Sequence, residues 1–292
     1  MNNRLINWFI FIFISFIWGS SFILMKEGLR NLSAAQVASI RIVVSGVFLS
    51  PVALSSFRQI PRNKIFLVFL SGVLGSLLPA YLYCIAEQKV ESALAGTLNS
   101  LTPVFVLITG AVFFGSKTSG KKIIGIVLAF TGSILLFLSQ SDFTGESNLS
   151  YILLIILATL CYGFNVHLVH RYLTGIAPLK IVSAALLMCS VPASLVLLMT
   201  GFTQIDFMRQ GVMISIGYSC LLGVAGTALA SIFFYILIKR AGAVFSSMVT
   251  YGIPFVAIMW GVIMGEKFGL MQCGSLILIL FGVFIANSRD NR

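Results

Sequence analysis

Apolar residues recur along this chain in blocks of about twenty, each closed by one to three charges or by a cluster of Gly, Pro, Ser and Asn. About twenty helical residues cross a hydrocarbon core of ~30 Å, so each block is long enough for one membrane-spanning helix. The pattern predicts ten spans, near residues 5–25, 34–55, 64–86, 91–114, 120–139, 149–171, 178–200, 210–238, 242–264 and 269–287. The intervals are too short for an extramembrane domain. The first block begins after Arg4 as a secretion signal does, but runs on through Trp18 to Met25 without an A-x-A-like cleavage site. It is read as an uncleaved span.

Composition agrees: 59% of the residues are hydrophobic and 9% charged, against ~25% charged in soluble domains. The net charge of +11 is not gathered into a basic patch with interleaved aromatics, so no nucleic-acid partner is expected; it is spread over the intervals, where it orients the chain. With the N-terminus cytoplasmic, the inner segments carry Arg4, Arg58, Arg62, Lys64, Lys117, Lys121, Lys122, Arg171, Lys180, Lys239, Arg240, Arg289 and Arg292. The outer segments carry only Lys26, Arg30, Lys89, Arg209 and Lys267. The positive-inside rule then places both termini in the cytoplasm. The acids sort the other way, with Glu27, Glu87, Glu91, Asp142, Glu146, Asp206 and Glu266 outside and Asp290 inside.

The chain also repeats itself. Leu70-Ser-Gly-Val-Leu-Gly-Ser-Leu-Leu78 matches Leu221-Leu-Gly-Val-Ala-Gly-Thr-Ala-Leu229 at an offset of 151, which also carries Pro103 onto Pro254. After a slip of one residue, Gly115-Ser116-Lys117 meets Gly265-Glu266-Lys267 and Gly132 meets Gly282. At an offset of 144, Trp18-Gly19 aligns with Tyr162-Gly163 and Ser21 with Asn165. The reading is two units, residues 1–141 (spans 1–5) and 142–292 (spans 6–10). Five is odd, so the second unit enters the membrane from the opposite side. Inverted repeats of this kind characterise alternating-access carriers, with the substrate near the midplane where the repeats meet.

These features resemble a known family. Trp18-Gly-Ser-Ser-Phe22, the arginine within span 2 (Arg41), Leu101-Thr-Pro-Val-Phe105, Gly252-Ile-Pro-Phe-Val256, and Gly265-Glu266-Lys267 before a Gly-punctuated last span look like the two EamA repeats of the drug/metabolite transporter superfamily. The resemblance runs from about residue 8 to 287. It implies an all-helical integral membrane protein of ten helices with cytoplasmic termini, a central cavity and, often, metabolite export. The first half departs from the pattern in carrying Ser116 where the second has Glu266.

The expected cavity residues are polar or aromatic groups deep in the spans: Trp18, Ser21, Arg41, Tyr83, Asn99, Tyr162, Asn165, Thr227, Thr250 and Tyr251. A charge at the centre of a helix costs ~2.5–3.5 kcal/mol on insertion scales, so Arg41 asks for a partner. That partner is a substrate carboxylate, Glu27, Glu87 or a helix terminus. Pro103 and Pro254 each leave a carbonyl four residues earlier without its donor, and so mark helix kinks. His167 and His170, at i and i+3, suit a proton relay or an interfacial hydrogen bond; His167 is the proton-site candidate. Gly261 and Gly265 form a GxxxG helix-packing match. Cys84, Cys161, Cys189, Cys220 and Cys273 show no CxxC spacing and are read as packing residues. No metal or cofactor is expected.

The function that follows is secondary transport, with export of a small organic metabolite across the cytoplasmic (inner) membrane by alternating access. One deep Arg with Trp, Tyr and Asn suits an amino acid. A nucleotide-sugar or sugar-phosphate carrier and a multidrug or lipophilic-compound exporter are the alternatives; a phosphate would call for several deep cations. The chain has no P-loop to hydrolyse ATP, and no HExxH or paired acids within the spans for an intramembrane enzyme. Proton coupling, uniport and homodimer formation stay open.

Overall fold

The computed structural model describes residues 3–90, 92–140, 149–263 and 269–286. Among them, all regular structure is helical. The order is α1 (Asn3–Leu29), α2 (Ala34–Phe48), α3 (Ser50–Phe57), α4 (Ile65–Gly72), α5 (Leu78–Ala86), α6 (Ser92–Asn99), α7 (Thr102–Phe114), α8 (Gly120–Gln140), α9 (Leu149–Tyr172), α10 (Pro178–Met199), α11 (Val212–Leu221), α12 (Ala230–Ala241), α13 (Ala243–Ser247), α14 (Ile253–Ile263) and α15 (Leu270–Ala286). Two π-helical segments, Val73–Leu77 and Leu222–Leu229, join α4 to α5 and α11 to α12. Five of the resulting helices are long and apolar enough to cross a membrane, six if α2 and α3 count as one span.

Local chemistry sets the boundaries. The α2 helix opens with a reciprocal capping box, Ser33 Oγ accepting from the Gln36 N–H and Gln36 Oε1 accepting from the Ser33 N–H. The path bends by 64° between α2 and α3, where Pro51 occupies the first turn of α3 and cannot donate back across the bend. α7 ends on Gly115 at φ +61°, a left-handed cap that glycine adopts without Cβ strain.

Both prolines stand next to an interruption of the α-helical pattern. The chain breaks into a turn at 100–101 and into a 3-10 turn at Met248–Gly252. Pro103 and Pro254 then sit second in α7 and α14. A first-turn proline forgoes no helical hydrogen bond, so each proline is accommodated where the regular α pattern resumes.

Packing divides into two apolar clusters. One gathers Ile14, Val68, Val169, Leu237 and Met248 near the end that carries Lys64, Arg171 and Lys239; the other gathers Met25, Ile42, Cys84, Ala193 and Leu222 toward the opposite end. α8 and α15 lie backbone to backbone: a β-carbon on Gly282 would stand 2.5 Å from the Gly125 carbonyl oxygen. The small-residue contact expected from Gly261 and Gly265 falls partly outside the described residues; Gly125 and Gly282 supply this one. Phe9, Ile12, Val112, Phe113, Leu280 and Phe284 are exposed, as side chains facing hydrocarbon are.

Candidate functional site

Between the clusters lies a cavity of about 780 Å³, its open mouth included. Its wall is made where helices depart from regular α geometry. Gly75 and Ser76 come from the first π segment and Gly226 and Thr227 from the second; Asn99 and Thr102 flank the break before α7, and Thr250 lies in the 3-10 turn before α14, which Ile253 opens. These are the two matched pairs of repeat segments. α1 adds Trp18, Ser21, Phe22 and Met25, α2 adds Arg41, α5 adds Tyr83, α9 adds Tyr162 and Asn165, and α12 adds Ser231, Phe234 and Tyr235.

A π turn displaces backbone carbonyls from the regular i→i+4 ladder, and such turns gather at functional sites. Here side chains answer them. Trp18 Nε1 donates to the Gly226 carbonyl at 3.0 Å, and Thr227 Oγ1 to the Leu222 carbonyl at 3.3 Å. The glycines make the approach possible: a β-carbon on Gly75 would run into Asn165 Nδ2, and one on Gly226 would lie 2.8 Å from Ser21 Oγ.

Tyrosines fix the two asparagines. Tyr83 O–H donates to Asn99 Oδ1 at 2.8 Å, and Thr102 Oγ1 is 3.3 Å from the same oxygen. Tyr235 O–H lies 3.2 Å from Asn165 Oδ1 and 3.3 Å from the Ser71 carbonyl. Among the described residues, no hydrogen-bond partner engages the amide N–H groups of either asparagine. Arg41 Nε donates to Thr227 Oγ1 at 2.5 Å, and among the described residues Arg41 forms no ion pair; Glu27 pairs with Arg30 instead, at 2.9 Å. The cavity thus offers a guanidinium and amide donors amid aromatic walls, with Trp18 against Phe234 at 5.0 Å and Tyr83 against Tyr162 at 6.4 Å between centroids.

Nine of the ten expected residues therefore line one cavity, and Tyr251 does not. Its side chain is fully buried behind the wall, donating to the Ile126 carbonyl at 3.1 Å. His167 also lies elsewhere, in the α7–α9 interface, with Nε2 2.7 Å from the Val106 carbonyl and its ring stacked on Phe114 at 4.9 Å. Its neighbours make it a helix-joining hydrogen bond. Gly75, Ser76 and Gly226 were visible as a repeat but not as cavity wall. Phe22, Met25, Thr102, Ser231, Phe234, Tyr235 and Ile253 carried no separate signal.

Apolar spans enclosing a cavity with a few convergent polar groups define a helical integral membrane protein built to hold a small solute. The profile of the EamA-like transporter family matches residues 6–138 and again 149–288. The chain belongs to that family. An uncharacterized transporter of Archaeoglobus fulgidus is 24% identical over 92% of this chain and 94% of its own length. The uncharacterized inner membrane transporter YedA of Escherichia coli K12 is 23% identical over 92% of this chain and 86% of its own. A protein named as a probable amino-acid metabolite efflux pump, from the same strain, is 28% identical over 41% of this chain and 39% of its own. A crystal structure with 14% sequence identity superposes with a TM-score of 0.74 over 96% of this chain and 95% of that one, which shows a shared fold.

Proposed function

We propose that this protein is a secondary transporter of the cytoplasmic membrane that moves a small, carboxylate-bearing organic metabolite of the amino-acid type outward, by alternating access between inverted repeats 1–141 and 142–292, with both termini cytoplasmic. The observation that carries the substrate class is Arg41. A guanidinium facing an aromatic cavity, held by one neutral hydroxyl and flanked by amide donors, is a geometry for a carboxylate. The aromatic walls suit an apolar side chain on the same molecule. Among the described residues Arg41 is the lone cation on the wall, which disfavours a doubly charged sugar phosphate.

The architecture has its own support. Ser21 packs on Gly226 while its counterpart Asn165 packs on Gly75, so the first helix of each half meets the small-residue segment of the other. That exchange is what a twofold relation produces, and it gives alternating access a structural basis. The outward direction rests on the similarity to the amino-acid metabolite efflux pump relative.

The test is a thermal-shift screen of the purified protein against amino acids, nucleobases, sugar phosphates and lipophilic cations. A ligand at 100 times its Kd adds ~2.7 kcal/mol. Stabilisation by amino acids that is lost in Trp18→Ala and Asn99→Ala supports the reading. Stabilisation by sugar phosphates or lipophilic cations instead refutes the substrate class.

A further inference from the structure

Glu87 follows directly on the span Arg62–Ala86. Its backbone N–H closes the last turn of α5 on the Tyr83 carbonyl at 2.9 Å, one helical turn from a side chain that lines the cavity. An acid at the end of an apolar run ordinarily turns its charge to water. Here both carboxylate oxygens are buried, and among the described residues neither has a hydrogen-bond partner.

An ionised carboxylate stripped of water and of donors is costly. Burial accordingly pushes the Glu87 carboxyl well above the usual carboxylate range, and the nearby cations of Arg41 and, less strongly, Lys26 pull it back. Neither cation forms an ion pair with it among the described residues, since Arg41 is turned to Thr227. The other titratable groups around it are Tyr83 and Cys84 of its own helix, with Tyr162 of α9 stacked beyond Tyr83. A metal cation would be repelled by the two positive neighbours, and no cluster of three His, Cys, Asp or Glu stands among the described residues. A proton meets no such objection: it forms an O–H bond on one carboxylate oxygen and removes the buried charge.

We propose that Glu87 is a proton-binding site one helical turn beyond the cavity wall, coupled through Arg41 to whatever occupies the cavity. As a coupling device it rests on the transport reading above. A carboxylate ligand on Arg41 offsets that cation and brings a second negative charge near Glu87, and both changes favour the protonated form. By reciprocity the proton then strengthens ligand binding, so a carboxylate solute binds together with a proton taken from water.

The test needs no transported solute. The chain has eight acids, few enough for infrared difference spectroscopy to follow one carboxylic C=O band through a pH titration of the full-length protein in liposomes. In the wild type a band is expected to titrate well above the ordinary glutamate value of about 4.3. Glu87→Gln abolishes it. Glu87→Asp displaces it, which covers the case in which the amide variant does not fold. Arg41→Gln, by removing the cation that favours the charged form, raises the midpoint by about one pH unit or more. A wild type with no such band, or a band that survives in Glu87→Gln, overturns the site; a midpoint unmoved in Arg41→Gln overturns the coupling. Because the readout is the carboxyl itself, failure of the solute screen and failure of this titration are separate results.

Discussion

The first helices of the two halves, α1 and α9, meet the cavity alike and end differently. Each sets an aromatic and a small polar residue against the cavity, Trp18 with Ser21 and Tyr162 with Asn165. At the C-terminus of α1, which carries Lys26 in its last turn and the Arg30–Glu27 ion pair, the side-chain donor to a carbonyl is neutral: Ser215 Oγ donates to the Glu27 carbonyl at 2.9 Å and receives Asn31 Nδ2 at 3.1 Å. At the C-terminus of α9, cations close it. Lys64 Nζ donates to the Tyr172 carbonyl and Lys239 Nζ to the Leu173 carbonyl, both at 2.7 Å, and Lys239 also reaches the Ile176 carbonyl. Arg171 bridges from the same helix to the Phe114 carbonyl of α7. Charge-assisted hydrogen bonds are roughly twice as strong as neutral ones, and cations also complement the negative end of a helix dipole. The carbonyls at the α9 end thus receive the stronger class of side-chain hydrogen bond, and the α1 end is expected to be the less costly to open.

Several substitutions break or sharpen that contrast. Gly75→Ala has the largest expected effect, because its methyl meets the tyrosine-held Asn165, whereas in Gly226→Ala the methyl meets the hydroxyl of Ser21, which can rotate aside. Gly75→Ala is expected to abolish ligand-induced thermal stabilisation and Gly226→Ala to keep a measurable part of it. Next comes Lys239→Met, which keeps the apolar stem and removes the cation from its carbonyls. Hydrogen bonds to charged groups contribute ~1.5–3 kcal/mol each, so a loss of about 2 kcal/mol in denaturation experiments is expected. Ser215→Ala, at the neutral end, should lose about 1 kcal/mol; equal losses at the two ends would remove the contrast. The smallest effect on binding is expected of Tyr251→Phe. It gives up the Ile126 hydrogen bond, at about 1 kcal/mol, and leaves ligand stabilisation unchanged.

The all-helical, membrane-crossing character was legible because length and apolar content alone decide what crosses a bilayer; of the ten spans read from the sequence, five or six stand as helices long and apolar enough among the described residues. The cavity was legible through the repeat: aligning Trp18 with Tyr162 and Ser21 with Asn165 picked out residues that face one another's half. Backbone departures were not. The periodicity of Leu70–Leu78 and Leu221–Leu229 is that of any apolar helix, and nothing in it distinguishes the π turns on which α1 and α9 pack at Gly226 and Gly75. Tyr251 was expected in the cavity as an aromatic, hydrogen-bonding group deep in a span, but it lies in a 3-10 turn, where three residues make a turn and the face rotates away. Glu87 looked like a loop acid because it ends an apolar run, and the fold that buries it brings Arg41 and Lys26 from distant parts of the chain.

The central claim, that Arg41 receives the carboxylate of a transported metabolite, is tested most directly by counterflow in proteoliposomes preloaded with an unlabelled amino acid and diluted into the same labelled compound. The account predicts rapid uptake of label by the wild type and a loss of about tenfold or more in Arg41→Gln, as removal of a charged hydrogen-bonding partner implies. Counterflow in Arg41→Gln equal to that of the wild type would contradict it.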